Sequence, residues 1–237
     1  MIRSLLLLMA SAVVASSCAS HTRLQPEERG HAERLLTGAR GPRFLRLSYY
    51  VMPFFGDATK RLLSALPPEE VRLLNHPNGT AVVPSPIQRI LPAGTKIRVA
   101  DVEFPTGFAV QRRVPYTPRT RTWVTLHVEG EPAEPALVLV LRDSLKSVDD
   151  VLAEVERYLS AESPSTQLEA YGAGTREAIA GKRLMSDMPI DALERAWGYP
   201  ERKDIRYKEG VREETWLYPG GKRSVFVADG RVVRWEG

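Results

Sequence analysis

Hydrophobic and polar residues alternate with a period of two through the middle of the chain, between residues 80 and 141. Turn-forming residues divide this region into five predicted strands, at 80–83, 96–104, 108–114, 122–129 and 136–141. In the fourth, Val124, Leu126 and Val128 fall on one face, which is typical of a half-buried antiparallel strand. The fifth is continuously apolar and is expected to be buried on both faces. Several short strands at this spacing predict a small curved sheet or barrel.

The segment before this region has a less regular pattern. Residues 44–55 alternate roughly and predict a first strand, which Pro53 limits. Residues 60–66 and 69–74 predict two short helical pieces, and residues 76–79 predict a turn. Residues 91–95, Leu-Pro-Ala-Gly-Thr, followed by Ile97 and Val99, resemble the opening of bacterial SH3-like domains.

An apolar stripe with helical spacing follows between residues 147 and 159. It consists of Val148, Val151, Leu152, Val155, Tyr158 and Leu159. Ser147, with Asp150 three residues later, forms a start similar to a capping box. Residues 161–167 are small and polar and predict a linker. The pattern therefore predicts a β-rich domain over 44–160, which ends in this helix, and a separate module after the linker.

Residues 168–237 predict that second module, two helices followed by a three-stranded antiparallel meander. The second helix covers about 189–197 because Pro189 suits a first helical turn, whereas Gly198 and Pro200 end a helix. Ser186 or Asp187 is expected to cap its start. Asp229-Gly230 is a strong signal for a two-residue hairpin. The predicted fold class for the whole chain is α+β.

The N-terminal residues have the three parts of a secretory signal. Arg3 supplies a positive start, residues 5–14 form an apolar run too short to span a bilayer, and residues 15–17 form a small-residue cleavage motif. Cys18, the single cysteine, follows directly. A plain secretory signal, the alternative, would leave this thiol unpaired in an oxidising compartment. Residues 18–43 predict a tether with one weak helix around 27–36.

The segment Ala15-Ser16-Ser17-Cys18 resembles a bacterial lipobox, although Ala15 replaces the more usual leucine. The resemblance implies that the signal over residues 1–17 is removed and that the Cys18 thiol takes a diacylglycerol. It also implies that the new N-terminus is acylated, with a fatty acid such as palmitate. The mature protein would then begin at Cys18 on a membrane. Ala19 is not aspartate, the usual signal for retention in the inner membrane, so the outer membrane, facing the periplasm, is the expected location.

A series of residues in the last third of the chain has a familiar order. It comprises Gly181, Met185-Ser186, Leu193, Trp197-Gly198-Tyr199-Pro200, Glu214-Thr215-Trp216-Leu217-Tyr218, Phe226 and Asp229-Gly230-Arg231-Val232-Val233. This pattern resembles the BamE/SmpA/OmlA family of small outer-membrane lipoproteins. Gly181 departs from it, since the family places this glycine directly beside the methionine. The resemblance implies a non-enzymatic role at the outer membrane, where family members support assembly of β-barrel proteins and envelope integrity.

Charge narrows the classes of partner. The chain has 33 Lys and Arg residues against 29 Asp and Glu. Removing residues 1–17 takes away one of the 33, Arg3, which leaves 32 basic residues and a formal charge of +3. This balance is too mild to indicate nucleic-acid binding, but it suits a protein held near anionic envelope material.

Candidate chemistry is sparse. The four histidines, at positions 21, 31, 76 and 127, have no second ligand at metal spacing, so no metal site is predicted. The sequence contains no Gly-x-Ser-x-Gly motif, and Gly172-x-Gly174 lacks the third glycine of a phosphate loop. We therefore predict a protein that is not an enzyme and that has no cofactor and no catalytic residue.

One charged stretch stands out as a candidate binding site. Arg112, Arg113, Arg119 and Arg121 lie within ten residues that contain no acid. Arginine forks can grip phosphate or carboxylate through two hydrogen bonds, so an anionic lipid headgroup, a lipopolysaccharide or a peptide stem is a suitable ligand. A solvated hairpin loop is the alternative.

Two functional hypotheses follow from these observations. The first is a lipid-anchored cell-envelope adaptor or scaffold that binds an envelope protein and contributes to outer-membrane protein assembly or envelope integrity. The second is a lipoprotein whose middle domain binds peptidoglycan or another anionic glycan. The C-terminal module has the clearer pattern, which favours the adaptor.

Overall fold

The fold consists of a larger and a smaller β-sheet, each packed against helices. The computed structural model describes residues 21–38 and 41–237, and within these ranges the chain has an α+β architecture with six α-helices. The helices are α1 (Pro26–Thr37), α2 (Gly107–Arg112), α3 (Val148–Glu156), α4 (Ser165–Glu169), α5 (Ala173–Ala180) and α6 (Ile190–Trp197). The larger sheet contains β1 (Arg43–Leu45), β2 (Tyr49–Phe54), β3 (Asp57–Ser64), β4 (Arg89–Leu91), β5 (Lys96–Glu103), β6 (Trp123–Val128), β7 (Ala136–Val140) and β8 (Leu159–Ser160). The smaller sheet contains β9 (Arg202–Lys208), β10 (Val211–Leu217), β11 (Ser224–Ala228) and β12 (Arg231–Glu236).

The larger sheet has eight strands in the order β4-β2-β3-β7-β6-β5-β1-β8. Its pairs are antiparallel except for β3 and β7, which run parallel over a short stretch where Lys60 lies opposite Ala136 and Leu62 opposite Val138. Beyond these positions the two strands no longer pair. Their carboxyl ends therefore border a cleft.

One face of this sheet is covered by α1 and α3. Leu24, Ala32 and Leu36 from the N-terminal segment and Val151 and Val155 from α3 are buried in the same hydrophobic core. Residues 21–38 thus pack on the core, although the sequence predicts a tether with a weak helix there. The helix itself lies close to the predicted range, since Pro26 begins it and Gly38 caps its end.

Other predictions are wrong where long-range packing or local capping decides the outcome. The predicted helical piece at 60–66 is instead mostly strand β3, in which consecutive residues Leu62 and Leu63 are both buried. A strand covered on both faces has such an apolar run, and a buried helix can have it too. The predicted strand at 108–114 is instead helix α2, because the Thr106 hydroxyl accepts a hydrogen bond from the Ala109 N–H at 3.2 Å.

Two shorter predictions also change. The predicted strand at 80–83 makes only an isolated bridge between Asn75 and Ala81, because the Asn78 side chain accepts from the Thr80 N–H and closes a turn. The predicted helical piece at 69–74 is reduced to a single 3₁₀ turn at Pro68–Glu70. The chain becomes extended at Val71, which packs on the second face of the sheet.

The C-terminal residues form a second layer of helices on a sheet. Helices α5 and α6 cover one face of a four-stranded antiparallel sheet with the order β12-β11-β10-β9. The sequence predicts three of these strands, and β9, which is exposed along its whole length, is the fourth. The predicted hairpin at Asp229-Gly230 is confirmed, since both residues have the positive φ of such a turn.

The starts and ends of α3, α4 and α6 agree only in part with the boundaries predicted from local sequence signals. The capping box predicted for α3 is present, with Ser147 and Asp150 bonding reciprocally. Helix α6 ends at Gly198 as predicted, but neither Ser186 nor Asp187 caps its start, where the N-cap residue is Pro189. Helix α4 begins inside the predicted linker, and its Leu168 lies beside Gly94 of the larger sheet region.

The helices of this fold are short. Across residues 21–38 and 41–237, none has the length and apolar character needed to cross a bilayer.

Candidate functional site

The predicted arginine loop begins at α2 and folds back against it. Thr106 caps the helix, and the chain leaves it at Arg113, where Pro115 follows two residues later. The Thr117 hydroxyl donates to the Val114 carbonyl at 2.7 Å, which tightens the loop. Arg112 is therefore the last residue of α2, and the other three arginines belong to the short loop that this bond tightens.

Arg113 is an internal strut of this loop. Its side chain is buried, stacks on the Trp123 ring with 3.8 Å between the guanidinium carbon and the ring centroid, and forms an ion pair with Glu103. The guanidinium also donates to the carbonyls of Arg119 at 2.5 Å, Arg121 at 2.6 Å and Glu103 at 2.8 Å. Burial lowers the pKa of the Arg113 guanidinium, against the opposing effect of the Glu103 carboxylate. Its donors are used within the fold, so Arg113 holds the loop together.

The other three arginines differ in their contacts. Arg119 donates to the Val110 carbonyl and so ties the loop back to α2. Arg121 pairs with Asp143 at 2.8 Å. Arg112 is exposed, with its guanidinium carbon 5.2 Å from the centroid of the Phe108 ring. The predicted set is therefore not one ligand-facing cluster, and Arg112 is its solvent-directed member.

Adjacent positions in this loop provide a matched test of these roles. Arg113→Met should reduce the free energy of unfolding by about 3 kcal/mol, because three backbone carbonyls lose their donor in a buried setting. Arg112→Met should change it by no more than about 0.5 kcal/mol, since the side chain is exposed. Urea unfolding of the two variants measures the difference. Equal stabilities would show that Arg113 is not the strut described above.

The described N-terminal segment reaches this same region. The His21 N–H donates to the Pro105 carbonyl at 2.9 Å, and Leu24 is buried three residues later. Beside this contact lies a cleft of about 350 Å³, whose lining includes Arg23, Arg121 and Arg142. The chain thus enters the fold next to a basic surface. Cys18 itself lies outside the described residues.

A second cleft, of about 280 Å³, lies at the carboxyl ends of β3 and β7 and shares Arg121 and Arg142 with the first. Its walls are mainly apolar. They include Leu63, Leu66 and Leu139. Clefts of this kind form where neighbouring parallel strands diverge.

The polar groups of this second cleft centre on Glu154. This carboxylate is 1% exposed, and Arg142 lies 3.1 Å from its Oε2. The Tyr158 hydroxyl donates to Glu154 Oε1 at 3.3 Å, and burial, helped by the Glu154 charge, raises the pKa of Tyr158 to about 12. The Tyr49 hydroxyl is buried and has no hydrogen-bond partner in the part of the chain that the structure describes. The arrangement combines an apolar wall with partly neutralised charge, which suits binding.

One residue of α3 could have indicated this cleft from the sequence alone. Glu154 lies in the core-facing stripe of α3, between Val151 and Val155, where a carboxylate is out of place unless it has a partner. Arg142 comes directly after the buried end of the apolar segment 136–141. Only the fold shows that these two residues meet.

A buried polar junction joins the two layers of the fold. The Lys182 ammonium group donates to the carbonyls of Ser48 and Ala196, each at 2.7 Å, and lies 4.7 Å from the centroid of the Tyr50 ring. Burial lowers the pKa of Lys182 well below its ordinary value, with a smaller effect from nearby Arg223. The Ser48 hydroxyl adds a bond to the Ile179 carbonyl at 2.7 Å. Lys182 therefore links the larger sheet region to α5 and α6.

A second charged contact strengthens this junction. Arg223 donates through Nε to Glu70 Oε1 at 2.5 Å and through Nη2 to Glu70 Oε2 at 2.7 Å. Its guanidinium carbon lies 4.4 Å from the centroid of the Trp197 ring and 4.7 Å from that of Tyr218. Gly198 closes the contact, because its φ of +85° and the approach of the Ala65 Cβ both disfavour a side chain there. Trp197, Gly198 and Tyr218, three members of the C-terminal residue series, thus contribute to the junction.

Strand β9 presents a different surface. Among the described residues it pairs only with β10, which leaves its other backbone edge open to a further strand. Ile205 lies opposite Glu214 in the register and is 50% exposed, and Tyr207 lies opposite Arg212 and is 74% exposed. Both belong to the face of the sheet on which Trp216 is buried, but α5 and α6 leave them uncovered. An open strand edge with exposed apolar side chains is a suitable surface for an extended peptide.

The structure shows no metal-binding site within the described ranges. There, no group of three or more His, Cys, Asp or Glu side chains is placed to hold a metal ion. His21, His31 and His76 are exposed, and His127 lies half-buried on β6.

Comparison with known proteins gives no match to this chain. No protein-family model matches the sequence, and neither the curated proteins nor the solved structures contain a significant match.

Proposed function

We propose that the protein is a lipid-anchored lipoprotein of the bacterial outer membrane that acts without catalysis, as an adaptor for another envelope protein. Its anchor would be Cys18, and its binding surface would be the open edge of β9. The signal-like segment before Cys18 and the BamE-like order of the C-terminal motif residues support the location. The exposed edge strand is the observation that carries the binding role.

The chemistry of β9 indicates the kind of partner. An added strand would gain backbone hydrogen bonds along the open edge, and side chains at alternate positions would set specificity. Residues 202–208 contain four basic residues and one acidic residue, Asp204. The side chains of Ile205 and Tyr207 supply the apolar contacts. The partner segment should therefore be extended and acidic, with apolar residues at alternate positions.

The buried junction fixes the position of this binding surface relative to the larger sheet. Lys182 and the Glu70–Arg223 pair hold the C-terminal layer against the larger sheet. A partner bound at β9 would consequently be held at a defined position relative to the N-terminal segment. This property suits a scaffold.

Photo-crosslinking in intact cells tests the adaptor role. A photoreactive phenylalanine analogue at position 207 should give a discrete adduct with one envelope protein, whereas the same analogue at Tyr116, which is equally exposed, should not. Ile205→Asp should reduce the adduct at 207 about tenfold, because a carboxylate that repels the acidic partner replaces an apolar contact, a loss of about 1.4 kcal/mol.

The opposite results would count against the adaptor. No protein adduct at position 207, or an adduct that Ile205→Asp leaves unchanged, would contradict binding at β9. Retention of the soluble mature chain on purified sacculi, lost on Arg112→Met, would instead favour the peptidoglycan-binding alternative.

A further inference from the structure

We propose that α2 and the loop after it form a membrane-contacting surface that rests on phospholipid headgroups. The surface consists of Phe108, Arg112, Val114 and Tyr116. The proposal rests on the proposed lipidation of Cys18, and it adds an orientation that lipidation alone does not fix.

The length of chain between the anchor and the fold carries the first step. Cys18 precedes His21 by three residues, and three residues span at most about 11 Å. The His21 N–H is bonded to the Pro105 carbonyl, and α2 begins two residues later at Gly107. A lipid on Cys18 would therefore keep the contact at Pro105, and with it the start of α2, close to the membrane surface.

The exposed side chains carry the second step. Phe108 is 68% exposed, Tyr116 is 78% exposed and Val114 is 39% exposed, all within nine residues of sequence. Large apolar side chains that cluster on a surface mark an interaction site. Aromatic rings with nearby arginines are typical of surfaces that lie in the headgroup region of a bilayer. Arg112, beside the Phe108 ring, is placed to meet a lipid phosphate.

The loop backbone carries the third step, because it holds Tyr116 outward. Tyr116 has φ of +60°, a left-handed conformation that is unfavourable for a bulky residue. Its carbonyl accepts from the Gly56 N–H at 3.3 Å, and a Cβ at Gly56 would lie 2.8 Å from the Pro115 carbonyl oxygen. The β2–β3 turn and the Arg113 strut thus fix a strained loop whose exposed residue is a tyrosine.

Fluorescence quenching in vesicles tests this orientation, because a label can be attached at one chosen position. The Cys18 thiol is consumed in the lipidated protein, so one introduced cysteine is the only free thiol for labelling. Tyr116→Cys and Phe108→Cys are labelled with a fluorophore in full-length protein purified from membranes. The protein is then incorporated into vesicles of phosphatidylethanolamine and phosphatidylglycerol that contain a headgroup-level nitroxide lipid. Tyr207→Cys is the matched control, because Tyr207 is 74% exposed but lies on β9.

Labels at 116 and 108 should be quenched at least threefold more than the label at 207. Equal quenching at the three positions, in protein that floats with the vesicles, would overturn the orientation alone. Protein that does not float would overturn the lipid anchor and the orientation with it. A discrete protein adduct of the photoreactive analogue at position 116 in intact cells would also overturn the proposal, because it would place a protein instead of lipid at this surface.

Discussion

Arg223→Met is expected to lower the free energy of unfolding by about 3 to 5 kcal/mol. Arg223 forms a two-pronged ion pair with Glu70, and both residues are almost completely buried. Removing the guanidinium leaves the Glu70 carboxylate in the interior without its counter-charge. Arg223 also stacks on Trp197 and Tyr218, so the change removes packing as well.

A double variant separates the ion pair from general packing. Glu70→Leu combined with Arg223→Met replaces the buried pair by apolar groups, and most of the lost stability should return, since the unpaired charge is gone. Arg231→Met is the control, because Arg231 pairs with Asp187 at the surface, where ion pairs contribute at most about 1 kcal/mol. Urea unfolding of residues 19–237, which lack the lipid anchor, measures the stability of Arg223→Met, of the double variant and of Arg231→Met. A loss below about 1 kcal/mol for Arg223→Met, or no recovery in the double variant, would contradict a charge-paired junction.

This junction is the part of the molecule that sequence reasoning could not reach. Glu70 and Arg223 are separated by 153 positions, and Lys182 and Ser48 by 134. No local pattern connects such pairs. The sequence therefore predicts two modules and a linker, but it does not show that α5, α6 and the turn at Arg223 contact the larger sheet region.

Elements with strong local signals are predicted well. The apolar stripe and the capping box predict helix α3, and the turn residues Asp229-Gly230 predict their hairpin. Both depend on chemistry within a few residues. Strand β3 shows the opposite case, because its apolar run fits a helix until β7 is known to lie beside it.

The predicted arginine site shows the same limit within one loop. The charges at 112, 113, 119 and 121 are visible in the sequence, but the stacking of Arg113 on Trp123 depends on a strand that follows the loop. Sequence spacing cannot tell an internal strut from a solvent-directed group. The exposure of the aromatic residues 108 and 116 could not be predicted from the sequence either. The alternating pattern there predicts a strand that includes Phe108, whereas Phe108 lies in α2.

Cys18→Ser is expected to have the largest effect on the protein in cells. The lipid is the proposed anchor, and a diacylglycerol together with an acylated N-terminus gives stable attachment, whereas a single chain gives only marginal binding. Without the thiol neither modification can occur. More than nine tenths of the protein should then leave the membrane fraction, while Arg231→Met, a control at a surface ion pair outside the membrane-contacting surface, should stay bound.

The most direct test is the mass of the N-terminal peptide of the membrane-extracted protein, compared between the native chain and Cys18→Ser. We expect a native peptide that begins at Cys18 and carries a diacylglycerol and an additional acyl chain, and a Cys18→Ser chain that lacks both. An unmodified native peptide, or an equal membrane fraction for the two chains, would contradict the lipid anchor.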